Sequence, residues 1–109
     1  MIMRTWRACT AEADGDAYFE YMQKAGLPRV RNARGNKGVY VVRRMIHGKA
    51  EFLVLSLWES MEAIGEFAGP DPTRAVFNPD DEGYLLEYDV TVRLYDVLDA
   101  PEGGLPGAS

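Results

Sequence analysis

The residues of this chain best suited to chemistry are two arginines and a set of rings. Arg4 and Arg44 are permanent cations, and Trp6, Tyr40, Trp58, Phe67, Phe77 and Tyr84 offer flat apolar surface. Such groups could line a pocket for an electron-rich aromatic molecule. The guanidinium groups would stabilise a phenolate or enolate oxygen, and Tyr18, Tyr21 or Tyr40 could hydrogen-bond it. A plainer use exists for each. Rings of this size fill the core of a small domain, and the arginines could form ion pairs across an interface between two copies.

Other reaction types find little to work with. The chain has one histidine, His47, beside Gly48 in a turn between two apolar segments, where an imidazole is ordinarily exposed. No phosphate-cradling GxGxxG or GxxxxGK[ST] stretch occurs, and no GxSxG elbow. No group of His, Cys and Asp has metal-ligand spacing, so no metal and no cofactor is expected. The single cysteine, Cys9, lies beside Arg7 and could be a thiolate nucleophile, although buried cysteines are usually inert. A lone cysteine cannot form an internal disulfide, which fits the reducing cytoplasm.

With 109 residues, the chain is sized for one domain. Hydrophobic residues make up 47% and charged residues 27%, an ordinary water-soluble composition. No apolar run reaches membrane-spanning length and no secretory leader is read, so no membrane is expected as a partner. The net charge of −5 argues against nucleic acid. Arg29, Arg31, Arg34, Lys37, Arg43 and Arg44 nevertheless form a basic stretch with no acid among them. It could attract an anionic ligand or simply pair with acids elsewhere in the same or a partner chain.

The elements that must position these groups follow from periodicity. Residues 3–9 alternate as a strand, with Arg4, Trp6 and Ala8 on one face. Residues 14–25 read as a helix, with Tyr18, Tyr21, Met22 and Ala25 on one side and Gly26 and Pro28 as its stop. Residues 29–38 read as a polar loop, 39–46 and 51–58 as a hairpin closed at His47-Gly48-Lys49, and 61–68 as a helix capped by Ser60 and ended at Gly69-Pro70. A short helical turn is expected near residues 75–78 and a last strand over 90–98, and residues 99–109 read as a loose tail.

The order β-α-β-β-α-β over residues 1–98 predicts an α+β, ferredoxin-like antiparallel sheet with two helices on one face. The strand 51–58 is apolar on both sides: Phe52, Val54 and Trp58 alternate with Leu53, Leu55 and Leu57. Helices can cover only one side, so the other calls for a second copy across a two-fold axis, and a homodimer through the sheet faces is expected.

Several stretches carry a resemblance. They are RTWR in the first strand, GNKGVYVVRR entering the second, LSLWESMEAIGEFAG, AVFNPDDEGYLLEYD and the final LYDV. Over residues 2–98 the chain resembles the dimeric α/β-barrel proteins of the antibiotic biosynthesis monooxygenase type. The resemblance implies a ferredoxin-like protomer that dimerises into an α/β barrel. It also implies an activity among those of a mixed superfamily, which includes cofactor-free oxygenases and haem-degrading enzymes. Haem-degrading members carry an iron-binding histidine in the second-helix region, and residues 61–68 hold none. Relatives often carry a histidine before the tyrosine matched by Tyr95, where this chain has Leu94.

The expectation is therefore a cofactor-independent monooxygenase-like protein acting on an aromatic or polyketide-like molecule. Its pocket would lie between sheet and helices, lined by Arg4, Trp6, Tyr40, Arg44, Trp58, Phe67, Phe77 and Tyr84. The alternative is a non-catalytic dimeric module that binds a small molecule or a partner.

Overall fold

The computed structural model describes residues 1–76 and 79–101. Five strands and three α-helices follow the order β1 (Ile2–Ala11), α1 (Gly15–Lys24), α2 (Gly26–Arg31), β2 (Asn36–Ile46), β3 (Lys49–Trp58), α3 (Met61–Ala68), β4 (Leu85–Tyr88) and β5 (Arg93–Asp96). The sheet is antiparallel in the order β2-β3-β1-β4, with β5 pairing the other half of β1. This is the expected α+β, ferredoxin-like arrangement, with its fourth strand divided in two.

The division has a readable cause. Tyr88 sits opposite Ala8 and Arg93 opposite Thr5, so five steps along the edge match three along β1. The surplus residues leave the ladder. Thr91 bridges to Arg74, the Val92 amide donates to the Thr73 carbonyl at 2.7 Å, and the Ala75 amide donates to the Val90 carbonyl at 3.0 Å. The bulge thereby anchors segment 71–76 beside β1, a standard use of an extra residue at a sheet edge.

A second difference lies after α1. Gly26 and Pro28 do not stop helical structure. Ala25 breaks the first helix at φ −109° and ψ −68°, and α2 starts at once. Pro28 falls in the first turn of α2, where no amide has an intrahelical partner, so its missing N–H costs nothing there. The first three residues of the expected polar loop, 29–31, are thus helical, and α2 buries Leu27 against the core. Of the helical turn expected near residues 75–78, residues 75 and 76 are not helical and residues 77 and 78 lie outside the described residues; a 3-10 turn follows at Pro79–Gly83.

Other local signals act as read. Ser60 Oγ accepts from the Ala63 amide at 3.1 Å, and Gly69 ends α3 at φ 92°. The β2–β3 hairpin turns on His47 (φ 51°) and Gly48 (φ 74°), the left-handed pair that a two-residue hairpin requires.

Register assigns the faces. Arg4, Trp6 and Ala8 oppose Ser56, Val54 and Phe52, and this face meets the helices. Two apolar clusters form there. Tyr18, Met22, Leu27, Ala50 and Phe52 make one; Trp58, Ala63 and Ile64 make the other. Thr5, Arg7 and Cys9 face the opposite side with Leu55, Leu53 and Glu51, where no helix lies among the described residues.

Candidate functional site

Between the two core clusters the helix side of the sheet is not filled. A cavity of about 50 Å³ is lined by Trp6, Tyr18, Met22, Leu27, Val54 and Asp81, among others. An adjoining one of about 40 Å³ is lined by Arg4, Trp6, Ser56 and Phe67. Trp6, Val30, Val54 and Val76 border both, so the two are compartments of one cleft. Strands β1 and β3 form its floor, α2 one wall, and segment 71–76 another.

Arg4 is the polar feature of the smaller compartment. Its side chain points inward because the alternation of β1 gives it the helix face, and only 7% of its surface stays exposed. One guanidinium nitrogen, Nη2, donates to the Arg74 carbonyl at 2.6 Å, and Cζ lies 5.6 Å from the centre of the Phe67 ring. Its Nε is buried without a hydrogen-bond partner, and among the described residues no carboxylate pairs with it. Burial alone lowers its pKa to about 10, so it remains a cation at neutral pH. A buried cation lacking a counter-charge is costly, and a bound anion would relieve that cost.

The larger compartment ends in a polar pair. Asp81, 6% exposed, sits in the 3-10 turn and accepts a hydrogen bond from the Tyr18 hydroxyl at 3.3 Å. Burial, and then the neighbouring carboxylate, raise the Tyr18 pKa well above its usual value, so the phenol stays protonated and donates. Asp81 was legible only as part of the acidic run 80–82; nothing in the local pattern sets it apart from Asp80 and Glu82, which are exposed.

The expected pocket residues divide. Arg4, Trp6 and Phe67 come together in the cleft. Trp58 is fully buried behind it. Its indole donates to Ser56 Oγ at 2.8 Å and packs 5.2 Å from Phe67, so it supports the wall and belongs to the core. Tyr84 packs at a tilt 5.6 Å from Tyr18 and 5.1 Å from Tyr21, in the other cluster. Phe77 lies outside the described residues. Tyr40 and Arg44 do not join the cleft: they oppose Leu55 and Glu51 on the sheet face away from the helices, because β2 alternates in register with β3.

On that outer face charges are paired. Glu51 accepts from Arg7 at 2.7 Å and from Arg44; Glu87 accepts from Arg7 and Lys49, each at 3.0 Å. Those bonds lower the Glu51 pKa, with Arg44 the larger cause, and hold Glu87 at about 2, with Lys49 the larger cause. Of the basic stretch, Lys37, Arg43 and Arg44 pair with Glu59, Asp16 and Glu51. Cys9 is buried and its thiol pKa is raised by that burial, the reverse of what a nucleophile needs. His47 is exposed on its turn.

Solved structures share this fold. A Bacillus cereus protein described as a candidate antibiotic biosynthesis monooxygenase is 19% identical, with 92% of this chain and 94% of that one covered and a TM-score of 0.65. A structure described as an antibiotic biosynthesis monooxygenase is 16% identical, covering 91% and 100%, with a TM-score of 0.61. A MhuD mutant with two manganese protoporphyrin IX bound per active site is 19% identical, covering 91% and 96%, with a TM-score of 0.58. No family model and no curated protein matches the sequence. The chain therefore has an antibiotic-biosynthesis-monooxygenase-like fold. No described helix is long and apolar enough to cross a membrane.

Proposed function

We propose that the cleft binds an aromatic or polyketide-like small molecule through an acidic hydroxyl or enol, and that the protein acts on it as a cofactor-independent monooxygenase. Arg4 is the observation that carries this reading: a buried cation, facing a cavity among rings, with no carboxylate of its own. An enolate or phenolate oxygen beside Arg4 gains the counter-charge and an unused Nε–H donor, which favours the ionised form. Trp6 and Phe67 would hold the ring plane. The side chains of Val30 and Val76, which border both compartments, must separate to admit a ring.

The chemistry needs no metal. The ionised substrate is an electron-rich carbanion that passes one electron to dioxygen; recombination forms a carbon–oxygen bond. Loss of water then leaves a ring CH₂ as C=O, with the second oxygen atom in the water released. The protein contributes orientation and stabilisation of the anion. The porphyrins of the MhuD structure do not fit this chain's cleft. No histidine lines either compartment, and the one histidine of the chain lies in the exposed hairpin turn, so no imidazole is placed to ligate haem iron.

The working unit in this proposal is a homodimer joined through the outer sheet faces. Tyr40, Val42, Leu53, Leu55 and Tyr95 share that face, and Val42 and Tyr95 are exposed by 43% and 50%. The flanking Arg7, Arg44, Glu51 and Glu87 carry both signs, so a two-fold partner can meet each charge with its opposite.

The test is titration of a naphthol, read by quenching of Trp6 with Trp6→Phe as control, and with oxygen uptake recorded alongside. Binding should weaken at least about tenfold in Arg4→Gln, the loss of a charged hydrogen bond. No quenching in the unaltered protein would overturn the reading. Quenching without oxygen uptake for any aromatic binder would favour the non-catalytic binding module, which the absence of a histidine from the cleft supports.

A further inference from the structure

The two walls of the cleft are held in different ways. Val30 and Val76 border both compartments and must part before a ring can enter. Val30 belongs to α2, which buries Leu27 in one apolar cluster and packs Val30 against the other. Among the described residues, segment 71–76 gives no side chain to either cluster. Hydrogen bonds tie it down instead. The Val92 amide donates to the Thr73 carbonyl, the Ala75 amide to the Val90 carbonyl, and Arg4 Nη2 to the Arg74 carbonyl at 2.6 Å. A segment held by a few such bonds opens at lower cost than one anchored in the core.

The segment is also braced to move as one piece. Thr73 donates to Asp71 Oδ1 from its amide at 3.0 Å and from its hydroxyl at 2.6 Å, and the Arg74 amide donates to the Asp71 carbonyl at 3.2 Å. Those bonds are internal and survive a displacement. Before the segment stands Gly69 at φ 92°, where even an added Cβ would meet nothing within 4 Å, so the chain can turn there unobstructed. The bulge beneath stays with the sheet, because the Trp6 indole donates to the Asp89 carbonyl at 2.6 Å and the Asp89 amide to the Arg7 carbonyl at 3.0 Å. Opening therefore breaks the bonds from Val92, Ala75 and Arg4, and the one from Arg4 has the charged donor and is the strongest.

We propose that segment 71–76 is a lid of the cleft, turning about Gly69, and that Arg4 is its latch. Arg4 Nε has no hydrogen-bond partner, so an anion can take it while Nη2 keeps the lid closed. One guanidinium then holds both the ligand and the wall in front of it. This rests on the reading of the cleft as a binding site, but the latch is tested with no ligand present.

The experiment is amide hydrogen exchange across a range of low denaturant. In the unaltered protein the Ala75 and Val92 amides should exchange together, at least about tenfold faster than the β1–β3 ladder and with little dependence on denaturant. Exchange at the rate of the ladder, through global unfolding, would overturn the inference, and that comparison needs no variant. In Arg4→Met the same two amides should exchange about tenfold faster again, the worth of one hydrogen bond from a charged group, while the ladder is no faster than before. Unchanged exchange of the two amides, or equal acceleration of the ladder, would overturn Arg4 as the latch. A naphthol that fails to bind would overturn the anion site and leave these exchange results as they are, so the two readings fail separately.

Discussion

Arg4 and Arg7 stand three residues apart on one strand and have opposite fates. Arg4 faces the helices, is buried, meets no carboxylate among the described residues, and has its pKa lowered by burial. Arg7 faces outward, lies between Glu51 and Glu87, and has its pKa raised by the bonds to them, Glu51 first. The strand supplies the same side chain to both faces. What differs is whether the neighbouring strands bring acids to that face: β3 places Glu51 and β4 places Glu87 opposite Cys9, next to Arg7. The comparison teaches that a charged residue serves structure where its charge is answered within the chain, and is available to a ligand where it is not.

The largest effect expected from this contrast concerns the outer face as a whole. Leu55→Asp places a carboxylate at the centre of the proposed interface. Sedimentation at micromolar concentration should fall from twice the chain mass to a single chain. A monomer before the substitution would show that the outer face has no partner copy. The contrast between the arginines themselves is sharpened by Arg4→Met and Arg7→Met in denaturant melts. Arg4→Met removes an unanswered buried charge and should raise stability by about 1 kcal/mol while ligand binding is lost. Arg7→Met deprives Glu51 and Glu87 of a shared partner and should lower stability by ~0.5–1 kcal/mol. Two changes of the same sign would break the comparison.

The smallest effect is in acid. Glu87 has a pKa lowered from 4.5 to about 2 by Lys49 and Arg7, and Glu51 is lowered as well. A carboxylate whose pKa falls on folding stabilises the protein above its unfolded value, and that stability is lost as pH falls through the folded one. Melting temperature should therefore decline between about pH 4.5 and 2. The decline should be shallower in Glu87→Gln, and an unchanged slope would show that the outer network is not coupled to folding.

Much of the fold was legible because its signals are local. The Ser60 cap, the Gly69 stop and the two-sided apolar strand each act over a few residues and appear as read, and the hairpin read as closing at His47-Gly48-Lys49 closes on His47-Gly48, with Lys49 already paired to Ile46. The restart of helix at Gly26 was hidden because Pro28 reads as a breaker unless its position in a first turn is known. The split last strand was hidden because residues 89–92 form their bonds with residues 73–75, a partner that no window of sequence contains.

The site divides the same way. By itself the sequence determined that Arg4 and Trp6 share a face, that Phe67 lies on the helix over residues 61–68, and that no histidine is available beside them, since alternation and helical spacing are intrinsic to the backbone. Only the tertiary structure decided that Tyr40 and Arg44 lie on the other side, that Trp58 belongs to the core, and that Asp81 reaches the cleft. Those outcomes depend on strand register and on chain crossings between residues far apart in sequence. A shift of one residue in the pairing of β2 would have exchanged its inward and outward side chains.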